Sequence, residues 1–282
     1  MEQSYIKTII LSVVFLISAI TFSELIFRSD FAAALFGTPS IGSDNKSLGI
    51  KVHKIQDFAE RMGGIDGIFL GSSMTNTAIN PAVIGTRVAE ITGNDLRLFN
   101  FGINALSVES FPLFTSILSQ YKPKFLVLET SPVFIVREGN RSSRWDSNLW
   151  LKYRNREYSL AGWLTEKSFM FRYFLRFRIW LEYPDRSHKR SITERKMSIY
   201  GFKKTRLLNF EEHGSSRNKM YLDQLKSMKP VNYLKELETV LDETSRMSHV
   251  VLLSMPLHET YLQEFEDVCP GCYEQTIKEI IE

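Results

Sequence analysis

The apolar positions of this chain follow three different rules in turn. Residues 8–23 (TIILSVVFLISAITFS) are uncharged, with Lys7 before them and Glu24 after. Continuing through Leu25, Ile26 and Phe27 brings the run near the ~20 residues a membrane-spanning helix needs. A run apolar on every face at the chain's start predicts a transmembrane signal anchor over residues 1–28. A cleaved signal peptide and a core helix are the rival readings, and Phe22-Ser23-Glu24 makes a poor small-x-small cleavage site. Residues 29–62 then read as a linker and an approach helix. The stretch 37–45 (GTPSIGSDN) is a loop by composition, and Ile50, Val52, Ile55 and Phe58 recur at helical spacing within 48–62.

From residue 64 short apolar runs alternate with amphipathic ones. The runs 65–71 (IDGIFLG), 96–102 (LRLFNFG), 124–132 (KFLVLETSP) and 249–256 (HVVLLSMP) read as strands. Between them, 81–92, 108–121 and 231–247 have helical periodicity. Asn80 and Pro81 supply an N-cap and a first-turn proline, so the helix after the first strand is expected to begin there. Strands separated by helices of this length imply a parallel sheet with right-handed crossovers. Nearly continuous apolar strands suit a sheet covered on both faces. The expected fold is α/β, a flavodoxin-like three-layer sandwich over residues 63–282, with ligands gathering at the carboxyl ends of the strands.

Composition changes this picture in one place. The 282 residues carry a net charge of only +3. Residues 137–220, however, hold 20 Lys+Arg and 9 Asp+Glu, and the remainder holds 15 and 23. All four tryptophans, Trp145, Trp150, Trp163 and Trp180, fall in the basic segment, which reads as a helical cap inserted between the third and fourth strands. Its centre, 168–183 (SFMFRYFLRFRIWLEY), interleaves aromatics with Arg172, Arg176 and Arg178; Arg172 and Arg176 share one helix face. Three readings stay open for it: a headgroup-level surface, a site for a polyanionic sugar chain, or aromatic packing with a solvated arginine rim. Single-stranded nucleic acid would suit the same composition, but the export signal argues against a nucleic-acid partner.

The chemistry sits at strand ends. The first strand runs into Gly71-Ser72-Ser73-Met74-Thr75, which places serine hydroxyls at the sheet's carboxyl edge. A serine nucleophile needs a base, normally histidine. Of the five histidines only His258, just past the fourth strand, lies at that edge; Glu259 and Asp267 are the nearby carboxylates able to orient it. Cys269 and Cys272, spaced C-P-G-C, read as a local disulfide or a buried thiol pair, with redox or metal roles as alternatives. No P-loop, GxGxxG or HExxH motif occurs, so no metal and no cofactor is expected.

Gly71-Ser72-Ser73-Met74-Thr75 resembles the Gly-Asp-Ser-Leu-Thr block of the GDSL/SGNH hydrolase superfamily, with Ser73 at the nucleophile position and Ser72 in place of the acidic residue. Phe99-Asn100-Phe101-Gly102-Ile103-Asn104 resembles the second block, whose glycine, here Gly102, presents its N–H to the oxyanion. At the third block Thr130-Ser131-Pro132 stands where an asparagine is usual; Thr130, Ser131 or Asn104 would have to replace that donor. The C-terminal Asp-x-x-His block is not found. The resemblance spans about residues 64–135 and 249–258. It implies a nucleophilic Ser73, for which His258 is the base its position offers, and an oxyanion hole of Ser73 and Gly102 with Asn104 as the replacement donor. Anchored domains of this outline resemble the proteins of polysaccharide O-acetylation and D-alanyl transfer. That implies a single-pass protein of the bacterial cytoplasmic membrane with its globular domain outside, acting as esterase or O-acyltransferase on acylated polysaccharide or with an acyl donor protein. The alternative is a catalytically incomplete SGNH-like module that binds glycan or a partner in a polysaccharide assembly complex.

Overall fold

The computed structural model describes residues 2–43, 45–104, 106–131, 145, 147–204, 233–255 and 259–281. Contacts divide it into two compact units, Met1–His53 with Asn148–Glu194, and Lys54–Ser147 with Arg195–Glu282. The residues expected to form the cap are shared between them: 148–194 belong to the first unit, and Trp145 and residues 195–204 to the second.

The second unit is built on a four-stranded, all-parallel sheet in the order β2-β1-β3-β4, with β1 (Gly67–Gly71), β2 (Leu98–Gly102), β3 (Phe125–Glu129) and β4 (His249–Leu253). This is the expected α/β class. β1 is central because its residues are apolar or glycine and buried throughout. The period-2 alternation of side chains gives the sheet two different faces. On one, Phe69, Leu98 and Val127 pack with Ile79 and half-buried Ile84, Leu96 and Leu253. The other carries Phe99 and Phe101, whose rings meet Phe58 and Phe114, and Phe114 in turn meets Trp145 edge-on at 5.3 Å. Each such buried ring or aliphatic side chain contributes about 1.5–3 kcal/mol over an exposed one.

The helices follow their local signals. Lys46–Met62 forms α3, and Phe58 lies on its buried side. Pro81–Thr92 forms α5 with Asn80 as N-cap, its side chain accepting from Ala82 N at 3.2 Å. Phe111–Leu118 (α6) and Leu234–Ser245 (α11) complete the crossovers to β3 and β4. Two expectations are corrected. A six-residue helix, α4 (Ser73–Ala78), begins directly after β1, ahead of the Asn80-Pro81 start. The third strand ends at Glu129 and does not reach residue 132. The outer edge of β2 is covered by residues 197–203, where Met197 and Lys203 form an antiparallel bridge and Asn100 N donates to Tyr200 O at 2.9 Å. Such cover protects an exposed strand edge from pairing with another chain. At the far end, α12 (Glu259–Val268) and α13 (Cys272–Ile281) are joined by a Cys269–Cys272 disulfide.

In the first unit, α1 (Glu2–Arg28) contains one span, Tyr5–Arg28, long and apolar enough to cross a membrane, and none of it is buried. α2 (Asp30–Phe36), α7 (Leu149–Arg154), α8 (Leu160–Lys167), α9 (Phe169–Glu182) and α10 (Pro184–Lys196) complete the described helices of this unit. Two of the three arginines of α9, Arg172 and Arg176, are not a solvated rim, while Arg178 is exposed and pairs with Glu182. Arg172 is buried and donates to Thr165 O and Glu166 O, while Arg176 donates to Thr38 O and pairs with Glu194 at 3.5 Å. Arg190, also buried, donates to Pro39 O at 2.9 Å. Burial, then the nearby Arg176, lowers its pKa to about 10, so it stays charged at neutral pH.

Candidate active site

The carboxyl edge of the sheet carries an unusual row. Gly102, Gly71 and Glu129 are the last residues of β2, β1 and β3, and the strand register sets them side by side on one face. Two of the three lack a side chain, and that vacancy is where α4 sits. A Cβ on Gly102 would overlap the backbone of Asn76, and one on Gly71 would overlap Thr75 and Glu129. The glycines are therefore required by the close approach of α4 to the strand ends.

Glu129 reaches beneath the start of that helix and is almost fully buried. Its Oε2 accepts from Ser72 N at 2.8 Å, from Thr75 N at 3.0 Å and from the Thr75 hydroxyl. Its Oε1 accepts from the Ser72 hydroxyl at 2.6 Å, and Ser72 Oγ in turn accepts from Met74 N at 3.1 Å. The carboxylate thus takes up free amide groups at the helix start. Asn100 holds the other end: its Nδ2 donates to Thr75 O at 2.6 Å and Ile79 O at 2.7 Å. Lys203 N adds a bond to Asn76 O at 3.0 Å.

Ser73 is the first residue of α4 and is exposed. Neither its hydroxyl nor its N–H forms a hydrogen bond among the described residues. Asn104 is drawn to the same helix, its Oδ1 accepting from Asn76 Nδ2 at 3.1 Å. Gly102, which the resemblance casts as an oxyanion donor, instead gives its N–H to Asn100 Oδ1 at 2.8 Å. Its role here is steric. Thr130 and Ser131 are buried; Thr130 N donates to Leu253 O at 2.9 Å. His258 lies outside the described residues, and Glu259 and Asp267 are both exposed on α12. Among the described residues no three His, Cys, Asp or Glu side chains gather as metal ligands.

Ser73 and Asn104 are therefore brought to one short helix, Gly102 lies under it, and Glu129 is a member of this cluster that the sequence reading did not single out. A signal for it existed. FLVLE ends an otherwise apolar, doubly covered strand on a carboxylate, and a charge there needs dedicated partners. Fold and site together define a parallel α/β protein whose serine turn is clamped by a buried glutamate. No family model matches this chain, and no curated protein matches it at a significant level.

Proposed function

We propose that this chain is a membrane-anchored, SGNH-like esterase or O-acyltransferase acting on acyl esters of bacterial cell-surface polysaccharide, with its globular part outside the cytoplasmic membrane. The observation that carries the reading is Ser73: an exposed hydroxyl with no hydrogen-bond partner among the described residues, on a turn that Glu129 and Asn100 hold at both ends. A nucleophile gains from such fixed presentation because orientation is settled before substrate arrives. The apolar α1 helix and the Cys269–Cys272 disulfide support an exported location, since disulfides persist in oxidising compartments.

In the proposed reaction Ser73 Oγ attacks the acyl carbonyl carbon while its proton passes to the base. That role is assigned to His258 from its place after β4. The ester C–O bond breaks, the alcohol leaves with that proton, and an acyl-Ser73 ester remains. Water or a sugar hydroxyl then attacks, gives its proton to the base, and Ser73 departs reprotonated. The oxyanion of each step would be met by the Ser73 N–H and the Asn104 amide. Treatment of the folded full-length protein with a fluorophosphonate probe tests this. Labelling abolished by Ser73→Ala and strongly reduced by His258→Ala is expected; absence of labelling in folded protein defeats the reading.

A second reading, a catalytically incomplete module binding glycan or an assembly partner, is favoured by one observation. Asn100 and Glu129 already occupy the N–H groups of Gly102, Ser72 and Thr75. It predicts polysaccharide modification in cells that tolerates Ser73→Ala.

A further inference from the structure

α9 (Phe169–Glu182) is amphipathic in the reverse sense for a helix facing water. Met170, Phe174, Phe177 and Leu181 recur at i, i+4, i+7 and i+11, within a stripe about 60° wide at 3.6 residues per turn. All four are exposed, Phe174 at 57% and Leu181 at 71%. The opposite side holds Arg172, 3% exposed, and Arg176, both spent on internal carbonyls and carboxylates. A soluble helix places its arginines outward and its phenylalanines inward.

The helix is also fixed to a known level on α1. Glu24 closes the uncharged run of α1, and its carboxylate accepts from Ser168 Oγ at 2.9 Å, Phe169 N at 2.5 Å and Met170 N at 3.2 Å. Phe27 packs on Tyr173 with ring centroids 5.4 Å apart, and the Arg28 guanidinium lies 5.2 Å over the Phe169 ring. α9 therefore starts where the apolar run of α1 ends, which for a spanning helix is the boundary between acyl chains and headgroups. Around it Trp163, Trp180 and Tyr183 are exposed, as are Phe31 and Leu35, one turn apart on α2. Tryptophan and tyrosine favour that boundary, and exposed Lys167 and Arg178 can extend to headgroup phosphates.

We infer that the outer face of α9, with the exposed side of α2, rests in the headgroup and upper acyl region of the bilayer that α1 enters. The apolar stripe is covered by lipid, and the first unit is held to the membrane by a surface helix as well as by its span. This inference is independent of the chemistry at Ser73.

The test uses the full-length chain in vesicles of zwitterionic and anionic phospholipid. The native cysteines are joined to each other, so an environment-sensitive NBD label can be placed on Leu181→Cys, separately on Phe174→Cys, and on Phe15→Cys as a mid-span reference. At Leu181→Cys and Phe174→Cys the label is expected to be reduced by external dithionite several-fold more slowly than free dye. It is also expected to be quenched more by nitroxide near the headgroup than deep in the chain, and Phe15→Cys should show the opposite depth preference. Reduction at the rate of free dye at both α9 positions, with Phe15→Cys protected, would mean that water or a protein partner meets the stripe, and overturns the inference. An unprotected Phe15→Cys overturns it as well, because α1 would then not span.

Discussion

Asp66 and Glu129 are buried carboxylates at opposite edges of the same sheet, and they are satisfied in opposite ways. Asp66 stands just before β1 and binds the residues just before β2 and β3. Arg97 meets it through Nε at 2.7 Å and Nη2 at 3.0 Å, and Lys124 through Nζ at 2.9 Å. The hydrogen bonds from Arg97, above all, hold its carboxyl well below the usual carboxylate range. Glu129 has no cation partner among the described residues and takes only neutral donors, all from α4 and its N-cap. At the amino edge charges cancel and three strand starts are joined. At the carboxyl edge a carboxylate lies under a turn that leaves one serine exposed. A buried charge without an opposite charge is costly, and structures accept such costs most often at functional sites.

The largest effect should come from breaking the carboxyl edge. Glu129→Ala leaves the Ser72 and Thr75 donors without an acceptor, at about 1–3 kcal/mol for each buried group left unsatisfied, and should give the largest loss in urea denaturation. Glu129→Gln, milder in volume, should also lose probe labelling at Ser73: with its oxygen kept on the Ser72 and Thr75 N–H groups, its amide nitrogen faces the Ser72 hydroxyl, which must turn from donor to acceptor. Gly102→Ala, which drives a methyl into Asn76, is expected to cost about 1–3 kcal/mol and to lower labelling without touching Ser73.

At the amino edge Asp66→Asn should cost about 1–3 kcal/mol, because Arg97 and Lys124 are partly solvated. Labelling at Ser73 should be preserved. The same pair sets an acid dependence. With its folded pKa depressed, Asp66 binds fewer protons folded than unfolded below pH about 4, so its stabilisation is full above that value and drains away as pH falls further. Denaturation midpoints measured from pH 7 downward should show this slope in the wild type and a flatter one in Asp66→Asn. The smallest change is Ser73→Ala, expected within about 0.5 kcal/mol of wild type. If Asp66→Asn abolished labelling as completely as Glu129→Gln, the two edges would not be separable as drawn.

Much of the scaffold is legible in the sequence because its signals are local. Pro81–Thr92 forms the helix that Asn80 and Pro81 announce, and the four apolar runs all contain strands. α4 escapes because SMTNTA has weak helix propensity; its N-terminus is held by a glutamate 54–57 residues away. Ser73 stands at the predicted edge, whereas the engagement of the Gly102 N–H by Asn100 was hidden in a hydrogen bond between residues of one strand. The aromatic stretch 168–183 shows Arg172 and Arg176 on one face as the spacing predicts, but periodicity does not say which face is buried. Thr38, Thr165, Glu166 and Glu194 decide that, by offering the guanidinium groups more hydrogen bonds than α9 alone could supply.

The bonds that the start of α9 donates to Glu24 would make an anchoring α1 more than a tether. A span in a bilayer of mismatched thickness tilts or shifts. Because the carboxylate that ends the apolar run also caps α9, α9 would have to follow the tilt of a spanning α1 or break its cap. With α1 spanning as proposed, bilayer thickness would become a mechanical input to the first unit, delivered through Glu24, Phe27 and Arg28.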